Sequence, residues 1–240
     1  MPRLRKDELR RDRFLEIVSR SVVWIRGHGK HLAISVLALL VLGAAAGGLL
    51  VFRARIDKEA RTLLAQADDL FRKAISTPIS RSDPKAMERI ERPIKTYQEV
   101  IERFPRSRSA VEAAIRLGNI YYQLERYDKA LSMFEDYLNR YPKGRFRFLA
   151  GLGVGYSYEE KGELEKASHA YAAALETTST DPLLPEAYVA LARVQASLGR
   201  VEDARQVSLK VVEQWPNTGW AEVAKQQLAQ VSRMTGDYRR

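Results

Sequence analysis

The strongest constraint on the fold is a period of 37 residues. Ala113, Ala150, Ala187 and Ala224 stand 37 apart, and so do Leu117, Val154, Leu191 and Leu228. Gly118, Gly155, Ala192 and Ala229 make a third column of small residues, and Ala130, Ala167 and Ala204 a fourth. Phe104-Pro105, Tyr141-Pro142 and Trp215-Pro216 put an aromatic-proline pair in the same phase, with Thr178-Ser179 in the slot between them. Such a period marks a stacked array: one unit cannot bury its apolar face alone, and its neighbours complete the core.

Each unit reads as two helices. The first carries the alanine and Leu-Gly columns, a tight turn follows at Arg126, Gly162 or Gly199, and the second carries the Ala130 column with Phe134, Tyr137 and Leu138. In the next unit, Tyr171, Ala174 and Leu175 fill those last positions. Proline ends the second helix, because it lacks a donor and disfavours helix in the residue before it. Small residues at facing positions let the two helices touch, and large ones fill the gaps beside them.

The order Leu117-Gly118-x2-Tyr121, Ala130-x3-Phe134, Pro142 resembles the tetratricopeptide repeat. The second unit matches through Gly155, Tyr158, Gly162, Ala167, Tyr171 and Ala174 but has Ser179 in the proline slot. The third matches through Leu191, Ala192, Gly199, Ala204 and Pro216 but has Gln195 and Ser208 at the aromatic positions. Trp220–Met234 supplies a final capping helix with Ala224, Leu228 and Ala229 in phase. Upstream, Asp57–Ile75 and Pro84–Phe104 make a degenerate first pair in which Tyr97, Val100 and Ile101 match Phe134, Tyr137 and Leu138. Pro93 stands in the slot of the small alanine, which predicts a kinked or late-starting helix. Ser76–Asp83 is polar and proline-bearing, hence a loop.

Leu32–Phe52 contains 21 residues, no charge and one hydroxyl, Ser35. At about 1.5 Å per residue the run is about 30 Å long and matches a bilayer core. A buried core helix, apolar all round, would be hard to cover in a chain of 240 residues. Ala44-Ala45-Ala46 resembles a signal-peptide cleavage site. The long preceding segment and the apolar run continuing through Phe52 favour a retained anchor. Arg53–Ile75 keeps helical periodicity, so the membrane helix is expected to run into the repeat domain. Gly43, Gly47 and Gly48 form a small-residue pattern that would let a second transmembrane helix approach.

The formal net charge of +10 is unevenly placed. Residues 1–31 hold nine Lys/Arg and four Asp/Glu, half of the excess, beside the apolar run. That favours a membrane-proximal role over nucleic acid. The flanks nearest the span roughly cancel, and the basic tail tips the orientation to a cytoplasmic N-terminus. Phe14, Ile17, Val18, Val22 and Ile25 recur at helical spacing and suggest an amphipathic interfacial helix, broken at Gly27–Lys30. His28 and His31 lack a third ligand for a metal.

The expected architecture is therefore all-α. A basic cytoplasmic segment covers 1–31, a single transmembrane helix 32–52, and a linker helix with the degenerate first repeat 53–110. An α-solenoid of tetratricopeptide-type hairpins with its cap covers 111–240. With no cysteine there is neither disulfide nor thiol nucleophile. His169, alone among repeat-region histidines, reads as a surface residue, and Glu159, Glu160, Glu163 and Glu165 as a solvated turn. Gly151, Gly153 and Gly155 lack the strand context of a dinucleotide loop. No enzymatic activity, cofactor or metal is expected.

By resemblance to tetratricopeptide stacks, the first helices line a concave binding groove. Its positions here would be Ile115, Asn119, Tyr122 and Gln123; Leu152, Tyr156, Glu159 and Glu160; and Val189, Arg193, Ala196 and Ser197. The layout of amphipathic helix, Gly29-Lys30 step, one span and repeats is also similar to the ancillary subunit family of the SecYEG translocon. The repeat units resemble those of the periplasmic cell-division coordinator and of the outer-membrane assembly lipoprotein, although a lipoprotein needs a cysteine. These resemblances imply a bacterial inner-membrane protein with a periplasmic repeat domain, a chaperone-like factor contacting translocon subunits, periplasmic chaperones or exported chains. The implied partners are proteins and the lipid bilayer, not nucleic acid, with self-association through the transmembrane helix or the repeats as a further option. A scaffold for envelope assembly or division, and a cytoplasm-facing adaptor of inverted topology, are the alternatives.

Overall fold

The computed structural model describes the backbone of residues 6–76 and 84–234. Every regular element in it is a helix: α1 (Lys6–Ile75), α2 (Pro84–Arg103), α3 (Arg108–Gln123), α4 (Tyr127–Arg140), α5 (Arg147–Glu160), α6 (Leu164–Leu175), α7 (Leu184–Ser197), α8 (Val201–Gln214) and α9 (Gly219–Met234). The chain divides into two compact units, 1–56 and 57–240.

In the first unit the helix is unbroken. The interruption expected at Gly27–Lys30 is absent, because a glycine weakens a helix by about 1 kcal/mol relative to alanine but keeps its donor. Residues 37–52 are exposed throughout, and Leu39, Leu40, Leu42 and Leu50 are each about two-thirds exposed. Among the described residues, one helix is long and apolar enough to cross a membrane. A Cβ added at Gly43, Gly47 or Gly48 would meet nothing within 4 Å. Most side chains of the basic N-terminal segment lie outside the described residues.

The second unit is a stack of helical hairpins, and the 37-residue columns are its core. Ala113, Ala150, Ala187 and Ala224 are all fully buried, as are Ala130 and Ala167. Gly118 is small because α4 lies against it: a Cβ there would stand 2.6 Å from the Phe134 ring. Gly153 meets the other edge of the same ring, so Phe134 wedges between α3 and α5. In the last unit the small-residue column ends in the open, with Ala229 exposed on α9.

The turns repeat as closely as the helices. Arg126 N–H donates to the Tyr121 carbonyl at 2.8 Å, Glu163 N–H to Tyr158 at 2.9 Å and Arg200 N–H to Gln195 at 2.9 Å. Each closes a helix through a residue of left-handed backbone: Glu125 (φ 58°), Gly162 (φ 73°) and Gly199 (φ 73°). The first hairpin thus turns at Glu125, one residue before the expected Arg126.

The degenerate first pair is formed by the end of α1 and by α2. Leu64, Ala67 and Ala74 share a core with Ile90, Ile94, Tyr97 and Val100. The late start expected for α2 is not seen: the helix begins at Pro84 and carries Pro93 inside, buried. Most of the loop expected over Ser76–Asp83 falls outside the described residues.

Candidate functional site

First helices of neighbouring hairpins touch, α3 with α5 and α7 with α9, and side chains join α5 to α7, so they form one row, the face expected to be the inner one. The expected groove residues divide by burial. Ile115, Leu152 and Val189 are 4%, 1% and 2% exposed and belong to the core, so they support the inner face from beneath and do not present a side chain to it. Their column has the register of the face but points between the helices. Asn119, Gln123, Glu160, Arg193 and Ser197 are exposed; Tyr122, Tyr156, Glu159 and Ala196 are half-buried.

These residues form a polar chain that crosses from repeat to repeat. Tyr156 Oη donates to Glu186 Oε1 at 2.6 Å, linking α5 to α7. Arg193 on α7 returns to α5 with both ends of its fork, Nε to Glu159 Oε1 at 2.6 Å and Nη2 to Glu159 Oε2 at 3.0 Å. Tyr171 on α6 donates to Glu159 Oε2 at 2.8 Å. Tyr122 on α3 and Tyr127 at the start of α4 reach Glu160 at 3.5 and 3.3 Å. The rings follow the same line: Tyr122 lies 5.6 Å from Tyr127 and 6.1 Å from Tyr156, and Tyr156 lies 5.4 Å from Tyr171.

The electrostatics follow from burial beside carboxylates. Burial first, then the Glu160 charge, push the Tyr122 hydroxyl up to about 12. Burial and the hydrogen bond to Glu186 raise Tyr156 further, and burial with the charge of Glu159 raises Tyr171. All three remain protonated donors at neutral pH. The paired Glu159 holds the Arg193 guanidinium above its usual range.

At the N-terminal end of the inner face, a cleft of about 490 Å³ opens between α1, α2 and α3. Phe71, Ile75 and Ile120 form its apolar wall, and Asn119 and Gln123 lie on its rim. Tyr97 Oη donates to Asp68 Oδ1 at 2.6 Å, and Arg116 pairs with the same carboxylate. Sequence reasoning missed this cleft, because it depends on α1 folding back beside α3. It also missed Tyr127, Tyr171 and Glu186. Tyr171 occupies the aromatic column read as packing. The available signal was its hydroxyl, since a buried tyrosine, unlike a phenylalanine, needs a polar partner.

The tetratricopeptide repeat family model matches residues 86–145 and 153–217, just over half of the chain. The chain is a tetratricopeptide repeat protein. No curated protein sequence matches it. Among solved structures it is similar to MamA, with a TM-score of 0.53 and 18% identity, covering 63% of this chain and 82% of that one. It is also similar to a Podosopora anserina kinesin-light-chain protein of nearly identical TPR-like repeats, with a TM-score of 0.57 and 13% identity over 76% of this chain and 89% of that one. BtubC (BKLC) from P. vanneervenii gives a TM-score of 0.56 and 17% identity over 75% of this chain and 85% of that one. At these identities the likeness shows the fold alone, an α-solenoid of tetratricopeptide hairpins; the repeats of the matched family make the chain a protein–protein interaction module.

Proposed function

We propose that this protein is a single-pass, membrane-anchored adaptor that holds an extended segment of a partner protein against the inner face of α3, α5 and α7. The observation that carries this reading is the chain of half-buried tyrosines crossing the repeats. Tyr122 and Tyr156 come from successive hairpins, yet their rings stand 6.1 Å apart. Tyrosine offers a large contact area at little entropic cost and keeps a polar handle. Exposed Asn119 and Gln123 beside it supply adaptable hydrogen bonds.

The exposed apolar helix supports the anchor, and the basic tail before it supports a cytoplasmic N-terminus with the repeats on the far side. In a bacterium that far side is the periplasm. The layout favours a role at the protein translocon, as a chaperone-like factor for exported chains.

A photo-crosslinking residue placed at Tyr122 or Tyr156 in living cells tests the partner. Capture of translocon subunits or exported chains is expected. Capture of cell-division or outer-membrane assembly proteins alone would move the role to envelope scaffolding. Topology is read by a reporter fused after Arg240 that is active only outside the cytoplasm, and silence there would reverse the orientation.

A further inference from the structure

Glu160 differs from the paired carboxylates around it, and from Glu186, which takes a short bond of 2.6 Å from Tyr156 Oη. Glu159 is paired with Arg193, Asp128 with Lys161, and Glu163 with Lys161 and Lys166. Glu160 is exposed, and no Lys or Arg pairs with it among the described residues. Its oxygens accept only from Tyr122 Oη at 3.5 Å and Tyr127 Oη at 3.3 Å, beyond the usual range for O–H···O bonds. A carboxylate has about four acceptor positions, so two long bonds leave Glu160 able to accept from a further donor.

The surroundings are aromatic. Tyr122 and Tyr127 meet at 57° with centroids 5.6 Å apart, and the Tyr156 ring lies 6.1 Å from that of Tyr122. A cation here would gain a charge-assisted hydrogen bond to Glu160, and the carbon stem that carries it would pack beside the rings. An anion would meet repulsion from Glu160, and Lys161 and Arg193 are held by their own carboxylates.

We propose that Glu160, flanked by the hydroxyls of Tyr122 and Tyr127, forms a seat for a lysine or arginine side chain, so that the partner segment is basic. The seat rests on the inner face being the binding face. Charge complementarity selects its occupant: a cationic stretch of another protein, laid across α3 and α5 with one side chain inserted beside Glu160.

The experiment is selection of a randomised dodecapeptide library on the full chain in nanodiscs of zwitterionic lipid, with peptides retained by empty nanodiscs removed. The retained pool is expected to be enriched in lysine and arginine. A retained peptide is expected to bind about tenfold more weakly to Glu160→Gln, the loss of one charge-assisted hydrogen bond. Glu222→Gln, on α9 and paired with Lys225, serves as the control and leaves binding unchanged. Glu160 is exposed, so its substitution leaves the fold intact. Asn119→Trp places an exposed obstruction on the same face and reports whether that face is used at all. Peptides that Asn119→Trp blocks, but that lack cations or ignore Glu160→Gln, would overturn the seat and leave the inner-face reading standing. A pool that is empty or indifferent to Asn119→Trp would overturn both.

Discussion

Glu125 is the one non-glycine residue of left-handed backbone among the described residues, and it occupies the slot that Gly162 and Gly199 fill in the next two hairpins. A side chain there crowds the following carbonyl, at a cost of about 1–2 kcal/mol, whereas glycine costs nothing sterically. Glu125→Gly is therefore expected to raise stability by up to about 1 kcal/mol, after glycine's greater entropy in the unfolded chain is offset. Urea unfolding measures it, and an unchanged or lower midpoint would refute it. The tyrosines give a second prediction at this scale. Tyr122 has a folded pKa raised from 10.0 to about 12. The unfolded chain releases this proton first, so the stability is complete below pH 10 and drains as pH rises toward 12. Tyr156 and Tyr171 shift in the same direction and extend the loss. Stability should thus fall steeply above pH 10, and Tyr122→Phe should make the fall shallower. Circular dichroism across pH 8 to 12.5 would show whether the two slopes differ; identical slopes would count against the argument.

The helices differ in how their ends are held. Ser107 caps α3: its Oγ accepts from the Ala110 N–H at 3.0 Å, and the residue is buried. The caps of α4, α5, α6, α7 and α8 have no such side-chain bond. Ser107→Ala should cost about 1 kcal/mol, and Ser107→Asp should recover much of it, as read from thermal or urea midpoints. Equal stability of wild type and Ser107→Ala would sink this assignment. Helix α6 stops early without a proline. The hairpins ending at Tyr141-Pro142 and Trp215-Pro216 have second helices of 14 residues, while α6, with Thr178-Ser179 in the slot, has 12. The chain leaves the helix at Glu176 and is caught by the Asp181 side chain, which accepts from the Leu183 N–H at 2.9 Å.

At the scale of the whole molecule, the boundary between the two units falls at 56/57, inside a continuous helix. The end of α1 contributes Leu64, Ala67 and Ala74 to the core and Asp68 to the cleft, so it is part of the repeat domain. A chain starting at Asp57 should fold without lipid and remain in solution. A chain starting at Pro84 should be less stable by about 2–4 kcal/mol, because Ile90, Ile94 and Tyr97 lose their cover. Matching urea midpoints for the two would show that α1 adds nothing to the stack.

The period and the composition fixed the hairpins in advance. Proline, glycine and alanine act locally, through missing donors, positive φ and small volume, and their 37-residue phase makes each local choice the same in every repeat. The apolar run Leu32–Phe52 is likewise readable from residue type alone, since it needs length and the absence of charge. The site was only half legible. Tyr122, Tyr156, Glu159, Glu160 and Arg193 were named from their register, but Ile115, Leu152 and Val189 share that register and lie beneath the surface. Which side of a helix is covered depends on the neighbours packed against it, and a period does not state that. Only the tertiary structure brought Arg193 to Glu159, left Glu160 beside Tyr122 and Tyr127 without a cation, and packed the end of α1 with α2 and α3. Those pairings join residues 34 or more positions apart in several cases, and they are decided by how successive hairpins stack rather than by any one segment.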